Sequence, residues 1–345
     1  MKTMMLTGIE EMEMMEVSEP LLLNPGDVKI KMLVVGVCGS DIHYYTRGKI
    51  GSQVVRYPFP VGHEGAGMVV ETGASVTKVK PGDKIAIDPA VSCGTCDQCL
   101  SGRQNTCRNL VFLGCPDQAD GCLSEYIIMP ERSCIPLGDG LLPDHGALSE
   151  PFAIGVYSVK TSVPLAGKKI GILGYGPIGM SVMIAAKAAG AGQVFVTDKI
   201  DERLTIAEKE GAVLTINPLT KDVVSEIISM EPLGLDVVFE CCGQQDAIDE
   251  AVGLLKPGGK LMVVGIPEFA NWKMHVDKTR RKEIGIQFVR RQADCTEPAL
   301  EMMRTGKADM SRMITHRFPF TDTKKAFDLV ASYADGVMKA MIDFQ

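Results

Sequence analysis

Four cysteines within one short segment have the spacing of a metal site. Cys93, Cys96, Cys99 and Cys107 form C-x2-C-x2-C-x7-C in a stretch rich in turn-forming residues. Four thiolates at this spacing can surround Zn²⁺ as a tetrahedron, with sulfur–zinc distances of about 2.3 Å. Such a closed site leaves no position for a substrate, so it stabilises structure and performs no chemistry. The sequence therefore predicts a structural zinc, and metal chemistry would need a second site with an open position.

A second set of metal-ligand types is spread over the first 150 residues. Cys38 ends a predicted strand, His63 and Glu64 stand between glycines, and Glu150 precedes a proline. Each has an ordinary structural explanation when taken alone. Together they offer a thiolate, an imidazole and one or two carboxylates, which we expect on loops at strand ends. This set suits a catalytic zinc with an open position, which would polarise a substrate oxygen during hydride transfer from an alcohol.

Two polar residues close to Cys38 can move the proton that an alcohol loses. Ser40 is two residues from Cys38, and His43 follows three residues later. A proton can pass from the hydroxyl of Ser40 towards His43 in a relay, and positioned proton transfer of this kind accelerates reactions about 10²- to 10⁴-fold. The alternative is that both side chains only cap a local turn.

A dinucleotide-binding turn occurs in the second half of the chain. The G-x-G-x-x-G pattern directly follows a predicted strand and opens a predicted helix, and its members are Gly174, Gly176, Pro177, Ile178 and Gly179. Asp198 ends the next strand, where it would accept hydrogen bonds from the adenosine ribose. Its charge would repel a 2′-phosphate, so the sequence predicts NAD rather than NADP. Lys199 and Arg203 weaken this preference, and Arg203 can instead pack against the adenosine.

Length and composition exclude several classes of protein. The 345 residues predict two domains, and a net charge of −7 without a long basic run argues against nucleic acid and acidic membranes as partners. No apolar run reaches 18 residues, and the N-terminus lacks an apolar signal core. An odd number of cysteines, four of them at metal spacing, indicates reduced thiols. We therefore expect a cytoplasmic enzyme.

The predicted elements change character near residue 151. Before it the chain reads as short strands and Gly-rich turns, and after it strands alternate with helices, which indicates a doubly wound parallel sheet of α/β type. The predicted domains are a mainly-β domain over 1–153 with a zinc lobe at 90–110, a nucleotide-binding domain over 154–290, and a return to the first domain over 291–345.

The motifs resemble those of zinc-dependent medium-chain dehydrogenases, and the sorbitol (polyol) dehydrogenases in particular. The resemblance rests on the segments Cys38–His43, Gly62–Gly67 and Ser149–Pro151, the four-cysteine lobe and the glycine turn. It implies a GroES-like catalytic domain, a Rossmann domain, two zinc ions per chain, NAD, and a homotetramer or homodimer. It also implies that Cys38, His63 and a glutamate hold the catalytic zinc, with Glu64 and Glu150 both open as the direct ligand.

The same resemblance implies a substrate pocket that this chain alters. Tyr44 and Arg290 match residues that contact a polyol. Sorbitol dehydrogenases typically continue that arginine with a tyrosine, whereas this chain has Arg291, and the loop 112–122 aligns only loosely. Paired arginines can also bind a carboxylate or phosphate. The predicted reaction is oxidation of a secondary alcohol of a polyol to a ketose. The alternatives are an L-threonine or sugar-acid dehydrogenase, a zinc-free quinone-type reductase and a non-catalytic NAD-binding sensor.

Overall fold

The computed structural model describes residues 1–22 and 24–344. In chain order the strands are β1 (Lys2–Gly8), β2 (Glu11–Glu16), β3 (Asp27–Gly36), β4 (Lys49–Ile50), β5 (Gln53–Val54), β6 (Glu64–Thr72), β7 (Lys84–Ile87), β8 (Ala90–Val91), β9 (Val111–Phe112), β10 (Tyr126–Pro130), β11 (Cys134–Pro136), β12 (Lys169–Leu173), β13 (Gln193–Thr197), β14 (Leu214–Ile216), β15 (Leu235–Glu240), β16 (Leu255–Val263), β17 (Gly285–Phe288), β18 (Ile314–Pro319) and β19 (Lys339–Asp343). The helices are α1 (Gly39–Arg47), α2 (Asp97–Leu100), α3 (Pro143–Lys160), α4 (Pro177–Ala188), α5 (Asp201–Lys209), α6 (Val223–Met230), α7 (Gln245–Leu254), α8 (Val276–Arg281), α9 (Thr296–Arg304) and α10 (Thr323–Ala331).

The chain divides into two compact units. Unit 1 comprises Met1–Glu150, Thr296–Gly306 and Ile314–Gln345, and unit 2 comprises Pro151–Cys295 and Lys307–Met313. Residues 151–153 and 291–295 therefore group with unit 2 and not with the first domain, where the sequence analysis placed them. The segment Lys307–Met313 also groups with unit 2. Its side chains explain the difference, because Met313 is buried and Arg312 forms an ion pair with Glu210 of unit 2 at 2.6 Å.

Unit 1 is built on a mostly antiparallel sheet with β3 at its centre. The order is β11-β7-β6-β3-β19-β18, and β10 also pairs with β3. The run of β-branched residues predicted as a strand is β3, and alternate apolar side chains of this sheet fill one core. Gly36 of β3 pairs with Glu64 of β6 on one side and with Met341 of β19 on the other. This register brings the end of β3 beside the first residues of β6 and β19.

Unit 2 is a parallel sheet with helices between its strands. The strand order β14-β13-β12-β15-β16-β17 is the order 3-2-1-4-5-6 of a doubly wound dinucleotide-binding fold. The strands are short apolar runs, as expected where both faces of a parallel sheet are covered. The predicted α/β fold class is confirmed for this unit. Its strand order reverses between β12 and β15, where such folds bind ligands.

Among the helices that the sequence analysis did not predict, α1 and α3 carry residues of the candidate catalytic site. The residues at Cys38 were expected on a loop at a strand end, but those that follow it form α1, which Cys38 caps. The Asp41 side chain accepts a hydrogen bond from the Cys38 backbone N–H. Glu150 was expected on a loop, but it lies within α3, which continues through Pro151. Proline usually ends or kinks a helix, so the Glu-Pro step favoured a loop on sequence grounds.

Candidate metal centres and nucleotide turn

The four-cysteine lobe converges on a point that a zinc ion fits. The Sγ atoms of Cys93, Cys96, Cys99 and Cys107 are separated by 3.5, 3.5, 3.9 and 3.9 Å along four edges. A tetrahedron with bonds of about 2.3 Å has edges of about 3.8 Å, so the sulfurs are already at ligand spacing and too far apart for disulfides.

Backbone N–H groups around the lobe donate hydrogen bonds to several of the cysteine sulfurs. Cys107 Sγ accepts from the backbone N–H groups of Cys93 at 3.2 Å and Asn109 at 3.4 Å. Hydrogen bonds from the backbone of Thr95 and Cys96 lower the pKa of Cys93 to about 5. The pKa of Cys96 is also lowered, by backbone hydrogen bonds, whereas burial and the neighbouring thiols raise the pKa of Cys99 to about 11, so thiolate is favoured at Cys93 and Cys96 before a metal binds.

The second cluster lies at the end of β3 and the start of β6. The candidate ligand atoms of Cys38, His63 and Glu64 all lie within 4.8 Å of one another, and these three form the second group of potential ligands found in the described part of the chain. His63 is 5% exposed and Glu64 is 1% exposed. The antiparallel register between β3 and β6 explains this convergence, because Gly36 is paired with Glu64.

Asp41 orients the imidazole of His63, a role that the sequence analysis did not assign. Asp41 Oδ1 lies 3.3 Å from His63 Nδ1, and Asp41 is fully buried. A carboxylate on one ring nitrogen directs the other nitrogen towards a metal and raises its basicity. Although burial disfavours the imidazolium, the charges of Asp41 and Cys38 raise the pKa of His63 well above its usual value. The acid three residues after Cys38 was the available sequence signal.

Lys339 was also missed, and it is a buried cation in this cluster. Its Nζ atom donates to Glu64 Oε1 at 2.8 Å, to Glu64 Oε2 at 2.6 Å and to the carbonyl of Val37 at 3.1 Å. The lysine is 1% exposed, and although burial disfavours its charge, the carboxylate of Glu64 raises its pKa. A lysine among apolar residues of a terminal strand gave no sequence signal.

Glu150 lies close enough to this cluster to interact with its charges, although it is not one of the three converging groups. It is 8% exposed, and burial, together with the charge of Glu64, raises its pKa to about 7. Whether Glu64 or Glu150 binds the metal directly stays a prediction.

The other predicted site residues of unit 1 lie along α1. Ser40 Oγ donates to Cys38 Sγ at 3.3 Å, so its hydroxyl is at the cluster. His43 is half-buried one helical turn later. Tyr44 is 4% exposed, and its hydroxyl donates to Gln53 at 3.3 Å.

The glycine turn of unit 2 follows β12 and opens α4, as predicted. A Cβ on Gly179 would collide with the carbonyl of Gly174, which explains the glycine at the first turn of the helix. Asp198, at the end of β13, accepts from the backbone N–H of Tyr175 at 2.6 Å and of Ile200 at 2.9 Å. A Cβ on Gly176 would lie 3.4 Å from a guanidinium nitrogen of the buried Arg203. A carboxylate and a cation thus border the turn.

The predicted substrate residue Arg290 and its neighbour Arg291, whose role the sequence leaves open, both belong to unit 2. Arg290 is exposed, and Arg291 is half-buried. Arg291 has φ +51°, a left-handed conformation that is uncommon for a residue with a Cβ.

Comparison with known proteins decides the family. Residues 24–139 match the alcohol dehydrogenase GroES-like domain, and residues 177–305 match the zinc-binding dehydrogenase domain. The chain belongs to the zinc-dependent medium-chain dehydrogenase family. The family resemblance and the GroES-like and Rossmann fold class are therefore confirmed.

Individual relatives cover nearly the whole chain. A sorbitol dehydrogenase of Bacillus subtilis is 36% identical over 93% of this chain and 91% of its own length. An L-idonate 5-dehydrogenase of Vitis vinifera is 32% identical over 90% of this chain and 86% of its own. The crystal structure of a putative zinc-binding dehydrogenase from Sinorhizobium meliloti bound to NADP superposes with a TM-score of 0.90, at 30% identity, and covers 99% of this chain and 98% of that one.

Family membership makes the chain an oxidoreductase that uses zinc and a nicotinamide dinucleotide. No helix in residues 1–22 or 24–344 has the length and apolar character needed to cross a membrane.

Proposed function

We propose that this dehydrogenase oxidises a secondary alcohol of a polyol to a ketose and transfers the hydride to NAD⁺. The observation that carries the proposal is the convergence of Cys38, His63 and Glu64 within 4.8 Å, with Asp41 behind the imidazole. Sorbitol dehydrogenases at 35–36% identity from Bacillus subtilis and yeast support the substrate class.

The donor set fits zinc, and Cys38, His63 and Glu64 would hold it. Zinc bound there supplies positive charge that lowers the pKa of an alcohol hydroxyl. Lys339 neutralises Glu64 and fixes its position, and Asp41 orients the imidazole of His63. Glu150, whose pKa is raised to about 7, is suited to accept hydrogen bonds from a water or a hydroxyl beside the cluster.

Proton removal falls to α1 in this proposal. Ser40 contacts Cys38, and His43 is three residues further along the same helix face. Ser40 would take the hydroxyl proton and pass its own through the nicotinamide ribose hydroxyl to His43, which would release a proton towards solvent. Tyr44 and Arg290 would bind other hydroxyls of the polyol.

Asp198 supports NAD as the cofactor. Its carboxylate is fixed beside the glycine turn by two backbone N–H groups, and its charge would repel the 2′-phosphate of NADP. Gly174, Gly176, Pro177, Ile178 and Gly179 would hold the pyrophosphate at the start of α4. NADP, the cofactor named for the Sinorhizobium protein, is the alternative.

Two zinc ions per chain, a cytoplasmic location and a homodimer or homotetramer complete the proposal. Eleven cysteines without a disulfide are typical of a reducing compartment, which supports the location. A sugar-acid dehydrogenase is the second candidate, favoured by the L-idonate 5-dehydrogenase relative.

A substrate panel tests the function. Purified protein is assayed with NAD⁺ and NADP⁺ against sorbitol, xylitol, galactitol, L-idonate and L-threonine, and kcat/KM is measured for each pair. We expect the highest value for a polyol with NAD⁺. Activity on L-idonate or L-threonine alone would exclude the polyol assignment, and a preference for NADP⁺ would exclude the cofactor assignment.

A further inference from the structure

Glu240, the last residue of β15, is a buried carboxyl that binds the backbone of the turn that follows it. The residue is 0% exposed. Its Oε1 atom accepts from the backbone N–H of Cys242 at 2.7 Å and of Gly243 at 2.5 Å. Burial raises the pKa of Glu240, and the hydrogen bonds from the turn oppose that shift. The side chain therefore serves as an internal hydrogen-bond acceptor for the turn 241–243.

The main chain of Glu240 binds a second turn, which follows β16. Its carbonyl oxygen accepts from the backbone N–H of Val264 at 2.8 Å and of Gly265 at 2.9 Å. A Cβ on Gly265 would lie 2.2 Å from the backbone nitrogen of Gly243 and 2.8 Å from Glu240 Oε2. The turns after β15 and β16 thus pack around Glu240 without room for a side chain between them.

The turn after β15 also packs against the predicted nucleotide turn. A Cβ on Gly174 would lie 2.7 Å from Cys242 Cβ and 3.1 Å from the backbone nitrogen of Cys242. The backbone N–H of Cys241 donates to the carbonyl of Leu173 at 2.8 Å. Since β12 and β15 are neighbours at the reversal of strand order, Glu240 orders the backbone directly beside the switch point of the sheet.

Strand order indicates which half of a dinucleotide would meet these turns. In a doubly wound fold the cofactor lies across the carboxyl ends of the strands, with its pyrophosphate at the first glycine turn. Asp198, at the end of β13, marks the adenosine side of that turn. Strands β15 and β16 lie on the other side of β12 from β13. The turns that Glu240 holds would therefore face the nicotinamide half.

We propose that Glu240 is a positioning residue that holds the turns 241–243 and 264–265 in the conformation that receives the nicotinamide half of the cofactor. The inference rests on the proposed NAD site and assigns it a residue that the cofactor does not touch, because Glu240 is fully buried. Without this acceptor, two backbone N–H groups lose their partner and the turn occupies other conformations. The apparent affinity then falls in proportion to the fraction of molecules that keep the binding conformation.

Two substitutions of Glu240 and two probes test the proposal. Glu240→Leu removes the acceptor at similar size, whereas Glu240→Gln keeps an Oε1 acceptor. Calorimetric titration measures NADH and ADP-ribose, which share the ADP-ribose portion and differ in the nicotinamide ring. We expect Glu240→Leu to weaken NADH binding about 10- to 100-fold, as a binding conformation populated at about 1–10% implies, with ADP-ribose affinity nearly unchanged. Glu240→Gln should restore most of the NADH affinity.

A matched control separates this role from a general loss of stability. Glu231 is a 7% exposed carboxylate that pairs with Lys169, the first residue of β12, at the opposite end of the same sheet. Glu231→Leu should lower the melting temperature and leave the ratio of NADH to ADP-ribose affinity unchanged. If Glu240→Leu melts below the assay temperature, Glu240→Asp decides in its place. It withdraws the acceptor by one methylene and should show the same selective loss.

The outcomes separate the inference from the cofactor assignment on which it rests. Equal losses for NADH and ADP-ribose, or no loss for either, would overturn the inference and leave the NAD assignment intact. A Glu240→Gln variant that binds NADH as weakly as Glu240→Leu would also overturn it. A wild-type protein that binds only NADPH would overturn the NAD assignment, and the same variants then decide the inference with NADPH and 2′-phospho-ADP-ribose.

Discussion

Lys339 donates hydrogen bonds to both carboxylate oxygens of Glu64, at 2.8 and 2.6 Å, and each side chain is 1% exposed. A buried ion pair of this kind adds little to the free energy of folding compared with two apolar side chains of similar size. Removal of one partner is nevertheless destabilising, because it leaves an uncompensated charge in the core. The pair therefore holds Glu64 in place beside Cys38 and His63.

Lys339→Met should destabilise the protein by about 3–5 kcal/mol, because it leaves the Glu64 carboxylate buried without its cation. Urea unfolding measures the loss, and zinc content measures whether Glu64 keeps its position. Lys339→Arg, which keeps the charge, should recover part of both. Lys325→Met, which breaks an exposed ion pair with Asp322, should be nearly neutral. Equal stability of Lys339→Met and Lys325→Met would contradict the assigned role.

Asp41→Asn should weaken zinc binding at the second cluster by about 10- to 100-fold, since the charge that orients His63 is lost. Competition with a chromogenic chelator measures the affinity of the more weakly held zinc. Asp97→Asn, at the exposed partner of Arg108 in the four-cysteine lobe, is the control and should leave the affinity of that zinc unchanged. Wild-type affinity in Asp41→Asn would show that the imidazole needs no such partner.

Cys99→Ser should remove one zinc ion per chain and lower the melting temperature, because binding energy at a closed zinc site is folding energy. The folded fraction should keep its kcat, as this zinc has no open position. Metal analysis and calorimetry are the measurements, and Cys134→Ser, at a buried thiol outside the lobe, is the control. A fully active variant with two zinc ions would exclude the structural-zinc assignment.

Asp198→Asn should shift cofactor preference towards NADP⁺, since it removes the charge that repels a 2′-phosphate while its amide oxygen can still accept from Tyr175. The ratio of kcat/KM for NAD⁺ over NADP⁺ is the readout. Asp201→Asn, three residues further on, is the control for a general change of charge. An unchanged ratio in Asp198→Asn would place cofactor choice elsewhere.

Local spacing made part of this site predictable. The four cysteines and the glycine turn are each contained in one short segment, so their geometry is set by nearby residues. Cys38, His63 and Glu64 were predictable by residue type, but their convergence depends on the pairing of β3 with β6. Lys339 reaches them only because β19 pairs with the other side of β3, which no local pattern encodes.

Other features depend on contacts between residues that are distant in the sequence, so only the structure reveals them. Gln53 and Cys115 are separated by 62 positions and have no common motif, so their contact with Tyr44 had no signal in the sequence. The sequence analysis expected Glu150 on a loop, because the proline that follows it favours a loop when only the local sequence is considered. In the structure that proline lies inside α3, and Glu150 is buried with its pKa raised to about 7.

The central claim is a catalytic zinc held by Cys38, His63 and Glu64. Cys38→Ser tests it most directly, through zinc content, NAD⁺ binding and turnover of the best polyol in one preparation. The account predicts one zinc per chain instead of two, unchanged NAD⁺ affinity, and loss of turnover. Two zinc ions per chain with wild-type turnover would contradict it.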